Sequence, residues 1–376
     1  MYIDKIWKLD ELLEYERYIL KERNIKVSNI SRWHTSDEYQ NYMSKYIILD
    51  YTGDIFNYKY TYNIPYVDRN KIIKKITKKD NTDSLMCLIT PSSTCSITNM
   101  INFLKLNNFR KLCILAPSYF SVEQNCKIFN LPYEKIYLEY VNEKYILPIE
   151  KIIANDFDAI WLTSPIYSTG ILYEKSQIEV ISQLMKRQIL VIADETLALP
   201  GQELSRIIPI SDYFYSIYSP HKSLFINSIK FSIILCPAKN DDFLEQWIDV
   251  LGGGLLHSNI MAIYHFLSSN YQDCLEYCIK WYNQVISAIK DILKLSHIAY
   301  CDTSTLSPYK TIYLDKTKKN PSDFKNIKEL ITKEYVSYIP GSLNDFGEKS
   351  KCFRINLSLN PFEIKNILYR VLKYYT

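Results

Sequence analysis

Short apolar runs recur through the middle of the chain, at 85–90 (LMCLIT), 111–116 (KLCILA), 135–140 (KIYLEY), 159–163 (AIWLT), 189–194 (ILVIAD), 213–219 (YFYSIYS) and 231–237 (FSIILCP). Each is too short for a buried helix and is rich in Ile, Leu and Tyr, which predicts buried strands. Stretches with helical spacing lie between most of them, as over 95–107, 119–129 and 175–187. Alternating strands and helices predict an α/β fold with a mainly parallel seven-stranded sheet covered on both faces. Only residues 220–230 join the last two runs, which is short for a parallel crossover, so the final strand is expected to run antiparallel.

Both ends of the chain read differently. Over 4–23, Ile6, Trp7, Leu9, Leu12, Leu13, Tyr18 and Leu20 recur at roughly helical spacing. A Tyr-rich irregular segment follows to about residue 66. From about 241 the pattern turns helical, with a long helix over roughly 257–294. Short strands are expected near 297–301, 310–314, 334–338 and 352–357, and a last helix over 360–374. This predicts a large domain over 45–265. A small α+β domain is predicted from 266–376 together with the N-terminal helix and segment, 1–44.

Composition narrows the function. The chain has 376 residues, 47% hydrophobic and 23% charged, which is ordinary for a globular protein and excludes long disordered or disulfide-scaffold classes. A net charge of +4, with Lys and Glu interspersed, gives no nucleic-acid signal. No run of about 18 apolar residues exists to span a membrane. The acid-bearing N-terminus reads as an amphipathic helix and not a signal peptide. None of the nine Cys forms a CxxC pair, and no His/Cys group has metal-ligand spacing. Isolated Cys in apolar runs read as buried thiols of a cytoplasmic protein. Gly is scarce, 8 of 376 against a usual ~7%, so each one kept is informative.

Ligands of open parallel sheets bind beyond the carboxyl ends of the strands. The first run leads into Thr90-Pro91-Ser92-Ser93-Thr94-Cys95-Ser96, where small hydroxyl residues open a helix. That pattern suits a phosphate, and it equally suits plain N-capping. The second leads into Pro117-Ser118-Tyr119, whose aromatic could stack on a planar ligand. The fourth leads into Ser164-Pro165-Ile166-Tyr167-Ser168-Thr169-Gly170. The fifth ends on Asp194, which is costly to bury without a cation. The sixth leads into Ser219-Pro220-His221-Lys222, with Lys230 eight residues further on. A Lys beside His221 at that edge is a candidate nucleophile.

Taken in this order, these residues resemble the fold-type-I pyridoxal-phosphate enzymes, in particular the class I/II aminotransferases, over about 45–360. The resemblance implies that Ser93, Thr94, Ser219 and Lys230 hold the cofactor phosphate and that Tyr119 stacks on its ring. Asp194 would pair with the ring nitrogen, and Lys222 would form the Schiff base (internal aldimine). Arg354, in Phe353-Arg354-Ile355-Asn356, matches the substrate-carboxylate arginine. His34 falls in an N-terminal segment that can reach substrate; a capping or surface role suits it equally. The freed Lys222 would move protons at Cα, with the ring as electron sink.

Departures from the family pattern bear on the reaction. Tyr167 stands where an Asn usually bonds the cofactor's phenolic oxygen, and Leu197 stands where a Tyr is usual. Lys230 replaces an Arg, keeping charge and losing the guanidinium fork. A non-Tyr residue at the Leu197 position also occurs in a capreomycidine-synthase-like branch, whose N-termini Val27–His34 faintly resembles. The resemblance therefore implies an aminotransferase acting on a small L-amino acid. Elimination, cyclisation or decarboxylation on the same cofactor is the alternative, and a degenerate binding module is a further one. It also implies a cytoplasmic homodimer with shared active sites, in which Gly252-Gly253-Gly254, His257 and Ser258 lie near the partner. No metal, nucleic-acid or membrane partner is expected.

Overall fold

The computed structural model describes residues 4–32, 34–45, 74, 85–141, 144–226, 230–253, 263, 266, 271–315 and 317–376. They form two compact units. One comprises residues 1–42, 167–171 and 277–376, and the other residues 43–166 and 172–276. The chain opens in the first unit with α1 (Asp4–Arg23), β1 (Ser28–Asn29) and α2 (Asp37–Met43). Of the irregular segment expected to residue 66, the part over 46–73 lies outside the described residues.

The second unit is built on β2 (Leu85–Thr90), α3 (Ser93–Leu106), β3 (Leu112–Ala116), α4 (Phe120–Ile128), β4 (Tyr133–Tyr137), β5 (Glu139–Val141), β6 (Lys144–Ile146), α5 (Ile149–Ala154), β7 (Ala159–Thr163), α6 (Lys175–Lys186), β8 (Leu190–Asp194), β9 (Phe214–Tyr218), β10 (Ser232–Pro237) and α7 (Asp241–Gly252). Seven of these strands form one sheet in the order β2-β10-β9-β8-β7-β3-β4. Every residue of β3, β7, β8 and β9 is buried, as expected when helices cover both faces. The strand pairs are parallel, except that β10 runs antiparallel to both neighbours. The short link before it had predicted that reversal.

One expected strand is shorter. The run at 135–140 gives β4 only to Tyr137, and the Leu138 amide makes the last bond to β3, to Ala116 O at 2.8 Å. The chain then turns into the hairpin β5–β6. Of the helix expected over 257–294, the described part is α8 (Tyr271–Lys294).

Helix ends follow local chemistry. Ser92 caps α3, its hydroxyl accepting the Cys95 amide at 3.1 Å. The inner face of α3 places Ile97, Met100, Ile101 and Leu104 on a core that includes Trp161, Ile192 and Ile217. Each such side chain contributes about 1.5–3 kcal/mol on burial.

The first unit centres on a three-stranded antiparallel sheet in the order β11 (Ala299–Tyr300), β12 (Tyr309–Leu314), β14 (Cys352–Asn356). The helices α9 (Phe324–Glu334) and α10 (Pro361–Tyr375) belong to it. The strand expected near 334–338 becomes β13 (Val336–Ser337), which pairs with β1 and not with the three-stranded sheet. Residues 167–171 pack with this unit. Thr311 Oγ1 donates to Ser168 O at 2.8 Å, and Thr305 Oγ1 donates to Gly170 O. Gly170 has φ +72°, and an added Cβ would lie 2.5 Å from Ser307 Cβ. Only glycine fits both conditions, which accounts for one of the few glycines in the chain.

Candidate active site at the carboxyl edge of the sheet

Five of the expected residues meet at the carboxyl edge of the seven-stranded sheet. Ser93 begins α3 after β2, and Ser219 follows β9; their hydroxyls are bonded at 2.9 Å. The first amides of α3 have no intrahelical acceptor and carry the positive end of the helix dipole. That corner is suited to a phosphate-sized anion. Thr94 is exposed, and its carbonyl accepts the Thr98 hydroxyl at 2.9 Å. Lys230 is also exposed, within electrostatic reach of His221.

Lys222 starts a short 3₁₀ turn, its amide bonded to Ser219 O at 3.0 Å. Its ammonium lies 5.3 Å from the centroid of the Tyr119 ring. Asp194 ends β8 and is only 2% exposed. Burial pushes its carboxyl above the usual carboxylate range, against the positive charge of Lys222 and the bonds from Thr196. Thr196 donates both its hydroxyl (2.7 Å) and its amide (3.2 Å) to Asp194 Oδ1. A cation beside this carboxylate would relieve the cost of burying it.

Several polar atoms of this edge are buried without a hydrogen-bond partner among the described residues. They are Ser118 Oγ after β3, Thr163 Oγ1 and Ser164 Oγ at the end of β7, and His221 Nδ1. Thr163 stands opposite Asp194 in register. Such buried groups call for an explanation, and a bound polar ligand at this edge would supply partners for these four. His221 stacks on Phe231, ring centroids 5.0 Å apart. Burial and the nearby Lys222 and Lys230 depress it to about 3, so it is neutral at physiological pH. Cys95 sits near the start of α3, where a helix dipole normally favours thiolate. Burial overrides this and pushes it to about 11, which makes it a poor nucleophile.

Sequence reasoning missed Thr196, Thr163, Ser118 and Ser164. A hydroxyl two residues after Asp194 is a readable turn signal for Thr196. Nothing in the sequence marks the other three, because their orphaned state depends on packing.

The remaining expected residues belong to the first unit. Tyr167 is buried. Arg354, on β14, is 1% exposed. Its guanidinium donates to Ser31 O at 3.0 Å and lies 4.6 Å from the Tyr309 ring centroid. His34 is exposed, and its carbonyl accepts the Asn356 amide at 3.1 Å. His257 and Ser258 lie outside the described residues. Among the described residues no group of His, Cys, Asp and Glu is placed to hold a metal. No described helix is long and apolar enough to cross a membrane.

Next to Asp194, Glu195 is fully buried. It accepts the Ser205 amide at 3.1 Å and the Ser216 hydroxyl. Burial pushes it up to about 7. Its folded pKa is raised, so its contribution is fully present below the ordinary carboxylate range and is lost as pH rises toward and through 7. Gln keeps the shape and an oxygen for the Ser205 amide, and its amide nitrogen can donate to the Ser216 hydroxyl oxygen as a protonated carboxyl would. Glu195→Gln is therefore expected to remove a pH-dependent loss of about 3 kcal/mol between pH 4 and 9. Parallel denaturant titrations of both proteins across that range check this, and parallel pH profiles would refute it.

No protein-family model and no curated protein matches the sequence. Solved structures do match the fold. The multiple substrate aminotransferase from Thermococcus profundus superposes with TM-score 0.77 at 10% identity, over 98% of this chain and 94% of that one. YbdL from Escherichia coli, reported with a methionine aminotransferase function, gives TM-score 0.76 at 13% identity, over 97% and 96%. Cystalysin from Treponema denticola, whose structure contains pyridoxal 5'-phosphate, gives 0.70 at 18% identity, over 93% and 91%. The chain has the fold of these proteins, the fold-type-I architecture expected from its strand-end residues.

Proposed function

We propose that this chain is a pyridoxal-phosphate-dependent enzyme acting on a small L-amino acid, with transamination as its reaction. The observation that carries the proposal is the grouping of Lys222, Tyr119, Asp194 and the Ser93–Ser219 pair at one sheet edge. These residues fit the cofactor. The Ser93–Ser219 corner suits its phosphate, and Tyr119 suits stacking on its ring. Buried Asp194 suits a protonated ring nitrogen, and the orphaned hydroxyls beside it suit a polar ligand edge. When bound, pyridoxal phosphate supplies an aldehyde for amines and a ring that withdraws electrons from Cα.

The residues then divide the work. Ser93, Ser219, Thr94 and Lys230 hold phosphate. Thr196 fixes the rotamer of Asp194 through Oδ1, so the carboxylate is oriented before it meets the ring nitrogen. Lys222 would supply the amine that holds the cofactor's aldehyde and would take up and return the Cα proton. Neutral His221 adds no second positive charge beside it. Tyr167, Arg354 and His34 carry the roles that the resemblance implies: Tyr167 would serve the cofactor's phenolic oxygen, Arg354 the substrate carboxylate and His34 the substrate. The enzyme works as a cytoplasmic homodimer.

The second reading, a lyase, cyclase or decarboxylase on the same cofactor, is motivated by one observation. Leu197 is 4% exposed and apolar where the family pattern has a Tyr hydroxyl. A visible spectrum of the purified protein, before and after borohydride, tests the cofactor. An amino-acid panel with a keto-acid assay separates the reactions. Keto-acid formation that requires an added keto-acid acceptor and releases no ammonia supports transamination, whereas keto acid released with free ammonia, or consumption without keto acid, supports the second reading. A colourless protein that takes up no added pyridoxal phosphate overturns both.

A further inference from the structure

We infer that Glu16, on α1, is a positioning residue for Arg354 and acts through Asn29 and Ser31; this rests on the proposed role of Arg354 in gripping the substrate carboxylate. Glu16 is 4% exposed. Its carboxylate accepts Asn29 Nδ2 at 2.7 Å and Arg32 NH2 at 2.6 Å. An ionised carboxylate only accepts, so Asn29 must turn its amide nitrogen toward Glu16. Its Oδ1 is thereby committed to the Ser31 amide, 2.9 Å away.

Ser31 is fully buried and makes three bonds across the unit, two of them to Arg354 of β14. Its hydroxyl accepts the Ile339 amide at 2.8 Å, which commits its proton to Arg354 O. Its carbonyl accepts Arg354 NH2 at 3.0 Å. The Tyr309 ring lies against the same guanidinium. Glu16 thus selects one orientation of Asn29, Asn29 holds the Ser31 backbone, and Ser31 holds both the backbone and the fork of Arg354. An arginine that grips a carboxylate with two parallel bonds loses that geometry if its fork rotates.

Glu16 also borders a cavity of about 420 Å³ whose lining is mixed, Leu9, Leu13 and Ile339 alongside Arg17, Lys26 and Arg32. Leu at position 16 gains the apolar part of that lining and leaves Arg32, which is a third exposed, to solvent, so Glu16→Leu is expected to fold.

The test uses the holoenzyme. The cofactor's visible band is titrated with the twenty protein amino acids, and for the tightest binder also with its decarboxylated amine. Glu16→Leu is expected to weaken the amino acid about tenfold or more and the amine less than about threefold, because only the first presents a carboxylate to Arg354. KM should rise while kcat stays within about twofold. Glu16→Gln keeps an acceptor oxygen and should remain within about threefold of the wild type. Asn29→Ala should behave like Glu16→Leu, and supplies the result if that variant does not fold. Equal weakening of amino acid and amine, or no weakening of either, overturns the positioning role while leaving the functional proposal intact. A wild-type protein with no cofactor band overturns the functional proposal, and this role with it.

Discussion

Lys222→Ala is expected to lower turnover by about 10³-fold or more, and to leave no pyridoxyl group on the protein after borohydride. Two roles disappear together. The substrate amine loses the lysine amine with which it exchanges, and the Cα proton loses its acceptor. The half-buried ammonium is also one of the influences that hold the Asp194 carboxyl down. Without it, burial acts on Asp194 with less opposition, so its carboxyl is pushed higher still. Cofactor affinity should fall less than turnover, since the Ser93–Ser219 corner and the Tyr119 ring do not depend on Lys222. A small primary amine added to Lys222→Ala should restore part of the proton transfer. Turnover within tenfold of wild type would remove Lys222 from the reaction.

Asp194→Asn is expected to separate cofactor attachment from chemistry. Borohydride should still fix the cofactor on Lys222, while turnover falls about 10²–10⁴-fold. Asn keeps an oxygen for the two bonds from Thr196. It places a neutral amide against the ring, where it no longer favours a protonated nitrogen. The ring then withdraws electrons from Cα less strongly. Without cofactor, the variant should be as stable as the wild type or more so, because a carboxyl buried at 2% exposure is replaced by a neutral group. Thermal melts of the two cofactor-free proteins and single-turnover spectra of the loaded ones check both halves. Full turnover in Asp194→Asn would break the link between this residue and the ring nitrogen.

The strand-end residues were legible for a physical reason. An apolar run of five residues between helix-like stretches becomes an interior parallel strand, and the residue after it emerges at the carboxyl edge. That is why Asp194, Ser219 and Lys222 could be placed beside one another from their order alone. The short connection of 220–230 likewise predicted the reversed β10. The phosphate role of Lys230 is implied by the resemblance alone, and the structure places this residue exposed, within electrostatic reach of His221. The run at 135–140 predicts one strand and the structure divides it, β4 ending at Tyr137 and β5 starting at Glu139, because one apolar pattern serves both strands and does not mark the break.

Local pattern therefore determined the α/β class, the succession of strands and the residues at their ends, because periodicity and chain direction act over a few neighbours. The charge states belong to the tertiary structure. His221 is neutral and Glu195 titrates near 7 because distant segments exclude water from them, and no neighbour in sequence reports that. The same holds for the hold on Arg354, whose acceptor Ser31 lies 323 residues away along the chain. Such a contact leaves no periodic trace, and it exists only once packing has paired the chain's two ends.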